Sequence, residues 1–121
     1  MLSEKYIKSV LSAPPEKRYK TFLTKVADEE SVWVLVRDKG IVMHADETGA
    51  YLLCWPAKEF AEVFALDGDV PCEIEVHDFI SLCREEIIEE KFMVFPADND
   101  SFVMSGTDLA NDLEIFLNEV E

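Results

Sequence analysis

Three cysteines, two histidines and 26 acids are the side chains of this chain with chemistry to offer. Cys54 stands in the stretch from Tyr51 to Ala65, YLLCWPAKEFAEVFA, where a thiol, an indole, a proline and a lysine–glutamate pair crowd together. Nucleophilic catalysis needs a Ser, Cys or Thr with a base in reach. The bases here are His44, between Met43 and Ala45, and His77, beside Asp78 at a predicted helix start. No GxSxG elbow and no cysteine-protease signature surrounds any nucleophile. A Cys54–His44 dyad on neighbouring strands would lack a third group to orient the imidazole. Two ordinary sheet side chains are the better reading.

Metal and phosphate chemistry fare no better. Cys54, Cys72 and Cys83 lack the paired spacing of a zinc site. Asp98-Asn99-Asp100 resembles the start of a calcium loop, but Val103 and Leu109 occupy the positions that need Gly and Glu. A hairpin turn rich in Asx residues explains it instead. Gly-rich phosphate loops are absent. Acids suited to paired acid–base work abound, yet nothing selects one pair. The expectation is therefore no catalytic residue, no cofactor and no metal.

The elements that would position these residues follow from periodicity. Leu2, Tyr6 and Val10 recur at i+4, which predicts a helix over 2–12. Pro14-Pro15 stop it and start a second over 15–28, with Tyr19, Phe22, Leu23 and Val26 on one face. SVWVLVR (31–37), IVMHA (41–45) and AYLLCW (50–55) read as three strands of an antiparallel meander joined by short turns. Both faces of the first are apolar, so helices should cover part of the sheet. A helix opening at Pro56 carries Phe60 and Phe64, and CEIEV (72–76) alternates like a half-exposed strand. Helix 77–90 buries Phe79, Ile80 and Cys83 and turns Glu85, Glu86, Glu89 and Glu90 outward. Strands at 92–95 and 101–105 precede a last helix, for which Ser105 and Asp108 form a capping box. That helix turns Leu109, Leu113 and Leu117 inward and Asp108 and Asp112 outward. The order ααβββαβαββα predicts an α+β fold, one mostly antiparallel sheet with helices packed on it and room for one parallel pair.

The chain of 121 residues is one domain's worth, 1–121, and its apolar content of 49% suffices for a core without disulfides or metals. Its charge is uneven. Residues 1–58 hold nine Lys/Arg against eight Asp/Glu, a near-neutral half; residues 59–121 hold two, Arg84 and Lys91, against eighteen, a net of −16. Such a half repels phosphate backbones and anionic bilayers, which disfavours nucleic-acid and membrane partners. A basic protein partner suits it. No apolar run nears a membrane span and no signal-peptide pattern opens the chain. With three unpaired-looking cysteines, the expectation is a reduced, cytoplasmic, soluble protein.

Trp55-Pro56-Ala57-Lys58-Glu59-Phe60-Ala61 resembles the hallmark of a bacterial family catalogued as domain of unknown function 2750. Arg18-Tyr19 with Phe22 and Val26-Ala27-Asp28, then Val32-Trp33-Val34-Leu35, Phe95-Pro96 and Leu109-Ala110-Asn111-Asp112-Leu113, resemble its other segments in order. The layout is also similar to that of SseB-like bacterial secretion-associated proteins. This resemblance implies no catalytic residue. The expected function is non-enzymatic contact with a basic partner, inhibitor- or immunity-like at its sharpest. The expected surface is Trp55, Lys58, Glu59, Glu86, Glu89, Glu90, Asp108 and Asp112. Two alternatives stand beside it. One is a ligand pocket between the sheet and the helix starting at Pro56, lined by Cys54, Lys58 and Glu59. The other is a homodimer through exposed apolar sheet.

Overall fold

The computed structural model describes residues 2–47, 49–86, 91–96 and 102–120, the side chains of Asp46, Glu85, Glu86 and Val120 excepted. Two helices open the chain. The first, α1 (Glu4–Leu11), is capped by Ser3, whose Oγ accepts the Tyr6 N–H at 3.2 Å. Pro15 takes the first position of α2 (Pro15–Glu29), where its missing N–H breaks no helical bond. The apolar stripe of α2 buries Phe22, Leu23, Val26 and Ala27, and Arg18 lies on the same stripe, 1% exposed.

Four strands follow: β1 (Ser31–Arg37), β2 (Gly40–Ile41), β3 (Met43–Asp46) and β4 (Gly49–Cys54). The α+β class expected from the sequence is the class observed. Two details of the expected sheet change. The segment expected as one strand over 41–45 divides at Val42 into β2 and β3, and the described residues form two sheets rather than one. One edge of β1 explains both. Its far end pairs with β2, and the Val42 N–H still reaches the Leu35 carbonyl at 2.8 Å. Beyond Val42 the chain leaves that edge, and β3 pairs with β4 instead. The second sheet touches the first again at Trp33 and Trp55, which exchange both backbone hydrogen bonds at 2.8 Å.

The other edge of β1 pairs with β5 (Val70–Glu75), completing the order β2-β1-β5. Pro71 is tolerated within β5 because the strand lies at the sheet edge. In the second sheet, β4 pairs in parallel with β6 (Lys91–Val94), and β6 antiparallel with β7 (Phe102–Ser105). The room left for one parallel pair is filled there. Helix α3 (Lys58–Phe64) begins after the Pro56-Ala57 corner rather than at Pro56 itself. Helix α4 (Val76–Ser81) widens into a π-turn over Leu82–Glu86. The last helix, α5 (Gly106–Val120), packs on α2, and the Asp108 N–H donates to Ser105 Oγ at 3.2 Å, half of the expected capping box. Residues expected to continue the fourth helix, 87–90, and the turn at 97–100 lie outside the described residues.

Both faces of β1 are covered within the chain: Val32, Val34 and Leu35 are buried, and Trp33 and Val36 half-buried. Edge-to-face aromatic pairs lock the layers, Phe60 on Phe95 at 4.7 Å and Phe79 on Phe92 at 5.7 Å. Such pairs add about 0.5–1.5 kcal/mol each beyond area burial.

The turn between α3 and β5 is held by one acid. Asp69 Oδ1 lies 2.6 Å from Arg37 Nε, and Oδ2 accepts the Leu66 N–H at 2.8 Å. The Arg37 guanidinium, then that amide, hold the Asp69 carboxyl below the usual carboxylate range. A carboxyl whose folded pKa lies below its unfolded value of about 3.9 contributes stability above that value. The contribution is lost as pH falls through the folded pKa, because the unfolded chain takes up the proton first. Asp69→Asn is therefore expected to be less stable than the parent at neutral pH, with the gap closing in acid. Urea denaturation at neutral pH and below pH ~3.5 checks this; a gap that stays constant would refute it.

Candidate functional site

The nucleophile suggested by the opening stretch is closed off. Cys54 ends β4 with no exposed surface, its carbonyl accepting the Phe95 N–H at 2.8 Å. Burial pushes its thiol well above the ordinary cysteine value, with the neighbouring Cys83 adding to the rise. Cys83 is buried too, and burial pushes its thiol up to about 12. Neither thiol is a thiolate at neutral pH, so neither is an activated nucleophile. His44 does not meet Cys54: it faces Tyr51 across β3–β4, and the β3 register stops at Leu52. His77 is held by Glu75, whose Oε2 lies 2.7 Å from Nδ1. Cys72, by contrast, is exposed on the edge strand. Among the described residues no group of three or more His, Cys, Asp or Glu is placed to hold a metal, and Asp98 to Asp100 lie outside them.

The expected surface residues part company. Trp55 is fully buried and leaves the surface altogether. Its backbone is paired with Trp33 and its ring stacks on Phe64 at 5.9 Å. Its indole Nε1 has no hydrogen-bond partner among the described residues. Asp112, expected to face outward, turns toward α2 instead: its Oδ2 accepts the Tyr19 hydroxyl at 2.5 Å. Burial first, then Asp112, raises the Tyr19 hydroxyl above the ordinary tyrosine value, so it remains a donor. The Tyr19 ring lies flat on Phe102 at 4.4 Å, which ties α2 to β7 as well as to α5. Asp108 and Lys58 are exposed, and Glu59 is half-buried. Glu89, Glu90 and the side chain of Glu86 lie outside the described residues.

Beside Tyr19, Arg18 donates from Nε to the Phe95 carbonyl at 3.1 Å and from Nη1 to the Ala13 carbonyl at 2.5 Å. Phe95 is held at φ 52°, a left-handed conformation unusual for a bulky residue. That geometry lets its N–H reach Cys54 while its carbonyl reaches Arg18. The sequence marked Arg18 as a family residue but not as a buried donor. The available signal was its spacing, since Arg18 stands four residues before Phe22 and eight before Val26 on the buried stripe.

Several hollows among the described residues could take a ligand, and two of them border α3, the helix of the expected pocket. The larger, about 750 Å³, lies between α1 and α3, with Ile7, Leu11, Val63 and Phe64 as its apolar lining. The second, about 330 Å³, lies where the end of α2, the paired strands β1 and β5, and the start of α3 meet. Trp33 lines it, with Glu73 directly opposite across the β1–β5 ladder. Paired residues of this kind project from the same face of a sheet. Lys58 and Glu59 enter from the first turn of α3, and Lys25 and Glu29, 3.2 Å apart, from the last turns of α2. Glu73 Oε2 accepts the Ser31 hydroxyl at 2.6 Å, and Glu59 Oε2 the Leu2 N–H at 3.2 Å. Burial works against the charged form of Glu59. The amide hydrogen bonds it accepts, its own and that of Leu2, together with the positive charges of the N-terminus and Lys25, hold it below the usual carboxylate range all the same. The expected pocket between sheet and helix thus has Lys58 and Glu59 in its lining but not Cys54, which belongs to the core.

Comparison with known proteins adds one match. The family model described as "Protein of unknown function (DUF2750)" matches residues 19–113. No curated protein matches the chain.

Proposed function

From the premise that the chain belongs to the DUF2750 family, we propose that it works by protein contact, binding a basic partner in the cytoplasm through its acidic half. The observation that carries this is where the acids stand. Asp67, Glu73, Glu75, Asp78, Asp108 and Glu119 are all exposed, spread over the α3–β5 turn, β5, α4 and α5. Of the two cations in that half, Arg84 is committed to Asn111 and Glu114. A surface of this kind speeds the approach of a basic protein and rejects acidic ones. An inhibitor or immunity protein for a basic toxin is its sharpest form. No helix among the described residues is long and apolar enough to cross a membrane. Immobilised protein incubated with native lysate at low salt is expected to retain a basic protein that high salt releases, because salt screens exposed charges. Retention of nothing at low salt would sink the electrostatic reading.

A second reading is favoured by one observation, the meeting of Lys58 and Glu59 with Trp33 in the cleft between sheet and α3. In this reading the cleft holds a small polar molecule.

A further inference from the structure

We infer that the Trp33 cleft is a binding site for a zwitterion of the α-amino-acid class. The ammonium group would lie between Glu59 and Glu73, the carboxylate against Lys58, and the side chain over the Trp33 indole. The inference rests on the second reading above and names its ligand.

Size comes first. A cleft of about 330 Å³ sits at the small end of the range for ligand sites, about 300–1,000 Å³. It suits a metabolite of a few heavy atoms rather than a nucleotide. Charge then narrows the class. The lining carries both signs, Lys25 and Lys58 against Glu29, Glu59 and Glu73. Lys25 and Glu29 balance each other as an ion pair at 3.2 Å. Lys58, Glu59 and Glu73 remain. A simple anion entering there meets two carboxylates, and a simple cation meets an ammonium group. Like-charge contact of that kind is how sites reject ligands. A ligand bearing one ammonium and one carboxylate offers each side chain its opposite, in charge-assisted hydrogen bonds about twice as strong as neutral ones.

Preorganisation is the third support. Glu73 is held by Ser31 at 2.6 Å through one carboxylate oxygen, and Glu59 by the Leu2 amide at 3.2 Å. Holding these side chains in advance lowers the entropy lost on binding. Trp33 is half-buried and its backbone is anchored on both sides, by Trp55 and by the β5 ladder, so the root of its side chain is fixed at the cleft. An indole face accepts apolar side chains and also attracts cations.

The test is a titration of intrinsic tryptophan emission with each proteinogenic L-amino acid, and with methylamine and acetate as single-charge controls. At least one amino acid is expected to give a saturable change that Trp33→Phe abolishes, while both controls give none. Lys58→Met and Glu59→Gln should each weaken that binding about tenfold or more, the loss expected for a charged hydrogen bond. Lys58 is exposed, so Lys58→Met should retain the parent's thermal midpoint, and glutamine at 59 keeps an oxygen for the Leu2 amide, so Glu59→Gln should stay folded with a small loss of stability. Methylamine or acetate binding as tightly as any amino acid would overturn the zwitterion class and leave the cleft as a small-molecule site. Amino-acid binding indifferent to both variants would overturn the location. Silence from every probe would overturn the inference and the second reading together, without touching the partner reading.

Discussion

Gly106→Ala is expected to lower the stability of this protein by about 3 kcal/mol, the upper part of the usual range for overpacking. A Cβ at that position would lie 2.5 Å from the Cys83 carbonyl oxygen and 3.1 Å from Phe92 Cε1. The first contact is with backbone, so no rotamer change relieves it. Phe92 is fully buried against Phe79 and has little freedom to move. Alanine is ordinarily the better helix former by roughly 1 kcal/mol, so propensity and packing oppose each other here. At 2.5 Å the clash wins, because either α5 must back away from the π-turn or the π-turn must shift. For a domain of this size the thermal midpoint should fall by roughly 10 °C or more. Gly40→Ala is the control: the nearest atom to its added Cβ is the Arg37 carbonyl at 3.8 Å, an ordinary contact. Its stability should change by less than about 0.5 kcal/mol, as for an unremarkable surface substitution. Equal effects from the two substitutions would refute the close approach of Gly106 to Cys83.

Arg18→Met should cost about 3 kcal/mol as well, through hydrogen bonding rather than packing. Methionine nearly fills the space of the arginine stem but donates nothing. Two carbonyls, those of Phe95 and Ala13, then lose their charged donor. An acceptor left unsatisfied in a buried site costs about 1–3 kcal/mol. The loss of a buried charge offsets part of that total, since desolvated cations are expensive to keep. Phe95 amplifies the effect. It stands in a left-handed conformation that its environment must enforce, and Arg18 and Cys54 both bond to its backbone. Arg18→Lys should fall between, because a single ammonium group does not reproduce the guanidinium fork. Urea denaturation of the parent and both variants, with the slope against urea unchanged, reads the three stabilities directly. Stability of Arg18→Met within about 0.5 kcal/mol of the parent would show that these carbonyl bonds do not hold the corner.

What the amino-acid sequence determined by itself was local. The apolar stripe of α2, the β-branched run of β1, the prolines at 14 and 15 and the cap at Ser105 act over one or two turns or one strand. Each element they predict is present within a few residues. The α+β class follows from the order of those elements. The family marker from Trp55 to Ala61 was likewise legible as a string, and it is the corner where β4 leads into α3. Tertiary structure decided which residues meet. The division at Val42 depends on how one edge of β1 is shared between β2 and Trp55, and no local propensity records that competition. The burial of Trp55, a residue that reads as a surface anchor in the string, follows from the same bridge. Arg18 reaches Phe95 across 77 positions, and Tyr19 reaches Asp112 across 93. The cleft gathers Lys25, Trp33, Lys58, Glu59 and Glu73 from four elements. Periodicity shows which face of an element is buried, because that depends only on the element's own repeat. Which partner covers the face depends on strand register and helix packing between distant segments, and those are properties of the folded chain alone.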